Sequence, residues 1–213
     1  MPTWLRSRSP CRRRARSPSD RSAPGLEEAA RIADEVGLER LTLAMVAQRL
    51  GVALPSLYKH IRGLDGLLQK LSALATAKLA AVLSAATAGR ARDDAVRAGA
   101  NAYRDYARRH RGRYAATQRV PDPDDPEHVA AGERAVGTIF AVLHGYGLAA
   151  DDAVDAARTL RSALHGFVVL ESAGGFGLPQ DIDRSFAQLV AALDSAFRQW
   201  PTRSETPVPL GGA

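Results

Sequence analysis

The sequence predicts an all-α protein of about nine helices, and three observations predict it. Apolar residues return every three or four positions along most of the chain, the period of a helix with one buried face. No segment alternates apolar and polar residues with the period of two that a half-buried strand needs. Ala, Leu and Arg, which lose little on entering a helix, are abundant, and β-branched residues are sparse. At 213 residues and 46% hydrophobic content the chain is long and apolar enough to bury a substantial core.

Residues 1–23 are mostly Arg, Ser and Pro, too poor in apolar side chains to offset their ordering entropy, and are expected to form a mobile arm. Periodicity begins at Leu26. Ala29, Ile32, Ala33 and Val36 share a face, with Glu27 and Glu28 near the positive end of the dipole and Gly37 as the stop. Thr42 is placed to N-cap a second helix that carries Leu43, Val46, Ala47 and Leu50 on one side and ends at Gly51. Pro55 suits the first turn of a short third helix, with Leu57 and Ile61 facing inward and Gly63 closing it. Longer helices follow over about residues 65–86, 93–109 and 127–144. The Pro- and Asp-rich stretch 121–127 forms a loop before the last of these. Two closing helices, about 152–172 and from Asp181 to Phe197, flank a Gly-rich turn. The resulting organisation is an arm (1–23), a head (24–70), a body (71–200) and a fraying tail (201–213).

Charge is unevenly placed. The net charge is +6, and the first 21 residues supply all of it through Arg6, Arg8, Arg12, Arg13, Arg14, Arg16 and Arg21 against Asp20. The head itself is formally neutral. The arm either adds phosphate neutralisation to a DNA-binding head or is a solvated tail. One cysteine, Cys11, allows neither an intrachain disulfide nor a cysteine-based zinc site. No run of apolar residues approaches the roughly 18 that a membrane-spanning helix requires. No apolar stretch follows the basic start, so a cytoplasmic location is expected.

The stretch from Thr42 to Ile61, TLAMVAQRLGVALPSLYKHI, has the spacing of a helix-turn-helix. Such a unit needs a first helix with an apolar inner face and a second whose outer face stays free for the major groove. Leu57 and Ile61 face in; Ser56, Tyr58, Lys59 and His60 can face out. A hydroxyl, a phenol, a cation and an imidazole suit phosphates and base edges.

Residues 26–68 resemble the DNA-binding domain of the tetracycline-repressor (TetR/AcrR) family. The likeness lies in Ala29-Ala30, Gly37, Leu41-Thr42, Val46-Ala47, Leu50-Gly51-Val52 and Leu57-Tyr58-Lys59-His60. The segment ALHGFVVLESAGGFGLP at 163–179 resembles the C-terminal Trp-His-Gly domain of one branch, with Leu164 in the Trp position before His165-Gly166. Two further departures are Ala53, where a capping hydroxyl is usual, and Ile61, where an aromatic ring is common.

The resemblance implies a ligand-responsive repressor that binds a palindromic double-stranded operator as a homodimer. Thr42, Tyr58 and Lys59 would meet phosphates, with Leu54, Pro55 and Ser56 nearest the bases and His60 beside them. The body would receive a small-molecule effector, with Tyr103, Tyr106, Phe140, His144 and His165 as candidate pocket residues. The last two helices would pair between subunits, with Leu160, Leu164, Phe167, Phe186, Leu189 and Leu193 as candidate contacts.

No metal, cofactor, membrane partner or enzymatic activity is expected. The Glu-x-x-His pairs of a di-iron bundle, His-Glu-x-x-His and Gly-x-Ser-x-Gly are all missing from the sequence. A DNA-binding or nucleoid-type interaction protein without a ligand is the alternative, and it predicts a body packed too tightly for a cavity.

Overall fold

The computed structural model describes residues 18–59 and 61–201, with side chains from residue 25 onward. The helices are α1 (Pro18–Val36), α2 (Leu43–Leu50), α3 (Leu54–Leu57), α4 (Gly63–Thr87), α5 (Arg92–Arg109), α6 (Arg111–Ala116), α7 (Pro126–His144), α8 (Ala150–Ser172) and α9 (Ile182–Arg198). A single 3-10 turn, Leu38–Arg40, joins α1 to α2, and no strand occurs among the described residues.

Local chemistry sets the sharper boundaries. The Thr42 hydroxyl accepts from the Met45 amide at 3.2 Å and starts α2. Gly51 ends α2 at φ 66°, a left-handed conformation that side chains with a Cβ resist. Asp125 caps α7 through the Glu127 and His128 amides, with Pro126 in the first turn, and Asp181 caps α9 in the same manner.

Two apolar cores divide the molecule. The head core gathers Ala29, Ile32 and Ala33 of α1, Val46 and Ala47 of α2, Leu57 of α3 and Leu67, Leu71 and Ala75 of α4. Ala116 of α6 joins this cluster. The body core begins further along α4, at Leu79 and Leu83, and takes in the buried faces of α5, α7, α8 and α9. The boundary expected at residues 70 and 71 therefore falls inside a continuous helix, which runs through both cores as a shared beam.

Several expectations change. The first helix begins at Pro18, so part of the segment expected as a mobile arm is helical; proline is well tolerated in a first helical turn. The third helix is one turn, and Gly63 opens α4 at φ 74° rather than closing α3. The six-residue α6 is too short to show a period in the sequence. By length and average composition α4 reaches the threshold for a membrane span, although Lys70 and Lys78 interrupt any continuous apolar run. In the fold its apolar face is buried: Leu67, Leu71, Ala75, Leu79 and Leu83 are core residues.

Candidate nucleic-acid interface and interior cavity

The head exposes the residues expected to meet DNA. Leu57 turns into the core and holds α3 against α2. This leaves Leu54 (37% exposed), Pro55, Ser56, Tyr58 (57% exposed) and Lys59 on the outer surface, together with Thr42. Thr42, whose hydroxyl caps α2, also lies on this surface. His60 lies outside the described residues. The α3 N-cap, Ala53, makes no side-chain bond, in line with its missing hydroxyl. Arg49 points away from any DNA role: it pairs with Glu35 at 2.6 Å and with Glu28 at 3.4 Å, tying α2 to α1.

The body contains a cavity of about 290 Å³ bounded by α4, α5, α7, α8 and the segment after α6. Its wall is mainly apolar, with hydroxyls from Thr76, Thr87 and Thr138 and further polar groups from Tyr103, Thr117, Gln118, Arg119, His128 and Arg161. His128 is 1% exposed; its Nε2 lies 3.1 Å from the Ser72 hydroxyl, and its Nδ1 has no protein partner. Tyr103 bonds the Tyr114 hydroxyl at 2.8 Å, and Tyr114 in turn lies 2.6 Å from His165 Nδ1. Burial pushes both phenols above their ordinary pKa, so they act as neutral hydrogen-bonding groups.

Of the five residues proposed from sequence for a pocket, Tyr103 alone lines this cavity. Tyr106 is buried and donates to the Ala75 carbonyl at 3.1 Å, tying α5 to α4. His165 sits behind Tyr103, one hydroxyl removed. Phe140 and His144 fall on the exposed side of α7. The dimer set changes more. Leu160, Leu164, Phe186 and Leu193 are buried within the single chain, and Leu160 and Leu164 line the cavity. Phe167 and Leu189 are half-buried against the same core. An apolar stripe marks the buried side of a helix without saying which neighbour buries it. The outward residues of α8 and α9 include Val169, Leu170, Ala187, Ala191, Ala192 and Ser195.

The short α6 links the two regions. An ideal Cβ on Gly112 would stand 2.1 Å from the Ala33 carbonyl carbon and oxygen, so α6 lies against the α1 backbone where only glycine fits. Asp34 of α1 holds the N-terminal end of α6. One carboxylate oxygen accepts the Arg113 amide at 2.9 Å; the other lies 3.2 Å from both His110 Nδ1 and Arg113 Nε. Arg119, on the cavity wall, reaches Asp65 in the first turn of α4 at 2.6 Å. Sequence reasoning missed these residues because each acts through a partner distant in the chain. Only the glycine inside Arg-Gly-Arg hinted at a close approach.

An exposed helix-turn-helix joined by a shared helix to a body with an interior cavity defines the class of one-component helical DNA-binding regulators. The comparisons agree. Residues 96–193 match the family model described as a tetracyclin repressor-like C-terminal domain. The chain is 40% identical over 182 residues to the uncharacterized HTH-type transcriptional regulator Rv0681 of Mycobacterium tuberculosis, covering 85% of this chain and 83% of that one. It is 32% identical over 162 residues to the uncharacterized HTH-type transcriptional regulator YobS of Bacillus subtilis, covering 76% and 84%. The fold is shared with TetR-Q116A of Acinetobacter baumannii, solved in complex with minocycline, at TM-score 0.61 and 20% identity over 83% of this chain and 96% of that one. The chain belongs to the tetracycline-repressor family of helix-turn-helix transcriptional regulators.

Proposed function

We propose that this regulator is a homodimeric repressor that grips a palindromic operator through Thr42, Leu54, Pro55, Ser56, Tyr58, Lys59 and His60, and lets go when an effector fills the cavity. The observation that carries this reading is the path from cavity to head. Thr117, Gln118 and Arg119 line the cavity immediately after α6, and α6 is seated on α1 through Gly112 and Asp34. Tyr114 connects the same helix to Tyr103 of the cavity wall. A ligand that separates these groups shifts α6, and its contacts at Gly112 and Asp34 pass the shift to α1.

In a dimer, two recognition helices must enter successive major grooves about 34–36 Å apart. Small rotations of the heads change that span. The effector can shift the balance only by its difference in affinity for the two head arrangements. The outward small residues of α9, Ala187, Ala191, Ala192 and Ser195, allow close approach of a second α9 and are assigned to the subunit interface. An A. baumannii fold neighbour carries minocycline, which supports the choice of a small-molecule effector. The cavity itself weighs against the tightly packed body of a ligand-free nucleoid protein. The test is selection from a random duplex pool. Enrichment of two inverted half-sites centred about ten base pairs, or a multiple, apart supports the reading. Failure to enrich any sequence refutes it.

A further inference from the structure

We propose that the cavity takes a monoanionic amphiphile, an apolar body ending in a carboxylate, with Arg161 as the residue that receives the charge. The proposal rests on the reading of the cavity as the effector site and names the chemistry of what fills it.

Most of the wall is hydrocarbon: Leu79 and Leu83 of α4, Val96 of α5, Ile139 and Val142 of α7 and Leu164 of α8. Such a surface rewards an apolar ligand body roughly in proportion to the area withdrawn from water. Three of the polar groups form a linked chain. The Arg161 Nη2 donates to Gln118 Oε1 at 3.4 Å, and Gln118 Nε2 donates to the Thr117 hydroxyl at 2.8 Å. The Arg161 charge is also felt at the Tyr103 and Tyr114 hydroxyls, where it opposes the burial that pushes both pKa values up. One guanidinium, one amide and one phenol of the wall therefore converge on the same end.

The charge balance of the wall then selects the ligand. It includes two arginines, and no Asp or Glu lines it. Arg119 is matched by Asp65 at 2.6 Å. Arg161 has no carboxylate partner among the described residues. A cationic ligand would meet a positive wall with no counter-charge. A neutral one would leave the Arg161 charge to solvent and gain nothing from it. A carboxylate provides the planar acceptor that a guanidinium binds through two parallel hydrogen bonds, and Gln118 or Tyr103 can donate a further one. Arg161 retains solvent contact, so the ion pair forms without the full cost of burying two charges.

Calorimetric titration of the full chain with decanoate, decanol and decylamine tests this, since the three share a tail and differ in head charge. Decanoate should bind at least about tenfold more tightly than decanol, with decylamine weakest. Arg161→Gln should remove that advantage and leave decanol binding within about twofold, since the side chain keeps much of its stem and loses its charge. Equal affinity for the three, a preference for decylamine, no binding by any of them, or an unchanged preference in Arg161→Gln would each overturn the proposal. Operator affinity measured in the same samples separates the two readings. An operator-binding protein that ignores decanoate loses the ligand class alone. Selective decanoate binding that leaves operator affinity unmoved keeps the ligand class and removes ligand-relieved repression.

Discussion

Gly112→Ala is the perturbation that most sharply examines how head and body are joined. Within a helix the exchange is ordinarily favourable, by about 1 kcal/mol, because alanine loses less backbone entropy. Here the added Cβ would stand 2.1 Å from the Ala33 carbonyl and 2.6 Å from the Asp34 amide. Carbon contacts are comfortable near 3.5 Å, so α6 must retreat by about 1.4 Å or α1 must bend. Overpacking of this kind costs about 1–3 kcal/mol. The retreat also stretches the 2.9 Å bond from the Arg113 amide to the Asp34 carboxylate beyond hydrogen-bonding range. Hydrogen bonds to charged groups contribute about 1.5–3 kcal/mol. The net expectation is a loss of about 3 kcal/mol, or a fall of roughly 6–12 °C in Tm for a chain of this length. Thermal unfolding at matched protein concentration measures it, since dimerisation couples stability to concentration. The control is Gly137→Ala, on the exposed side of α7 with no atom within 4 Å of the added Cβ, which should be neutral or stabilising by up to about 1 kcal/mol. If Gly112→Ala is as stable as Gly137→Ala, the close seat of α6 on α1 is wrong.

Tyr114→Phe should leave the Tyr103 hydroxyl and His165 without their shared partner, cost about 1–3 kcal/mol, and reduce the effector's influence on operator affinity; equilibrium unfolding and operator titration with and without effector report the two effects. Glu171, held by Arg104 through a near-buried bidentate pair over the Phe186 ring, has its pKa lowered chiefly by that hydrogen bond. A lowered folded-state pKa means stability that is present above the ordinary value of 4.5 and lost as pH falls through the folded one. Glu171→Gln should therefore cost about 1.5–3 kcal/mol at neutral pH, since Arg104 keeps Asp183 at 2.7 Å, and flatten the acid limb of a stability–pH curve. Removing residues 1–17 should reduce the salt dependence of operator binding if the arginines of the arm neutralise phosphates, and an unchanged slope in a salt titration assigns them no such role.

What the sequence discloses follows from how local each feature is. Thr42, Gly51 and Leu57 are readable because a cap, a left-handed turn and a helical period are decided within a few residues. Tyr58 and Lys59 are readable as surface groups for the same reason: the inward positions of their helix are already taken. The body is less legible. Leu160 and Leu164 look alike whether they meet a second subunit or a cavity within their own chain, and the fold gives them the cavity. Arg161, Gln118 and His128 carry no sign in the sequence of the wall they share, since α7, α8 and the segment after α6 meet only in the folded chain. Gly112 shows the same limit from the other side, because its necessity is a property of Ala33, far earlier in the chain.

The most direct test of the central claim is a salt-dependent titration of the selected operator with wild type and with Tyr58→Ala/Lys59→Ala. Both side chains are exposed and outside the head core, so the variant should keep the wild-type Tm. The account predicts that affinity falls for operator and random duplex alike and that the slope of log K against log salt falls by about 1–2, roughly one unit for each phosphate contact removed. A folded double variant that binds the operator with wild-type affinity and slope would contradict the assignment of this face to DNA.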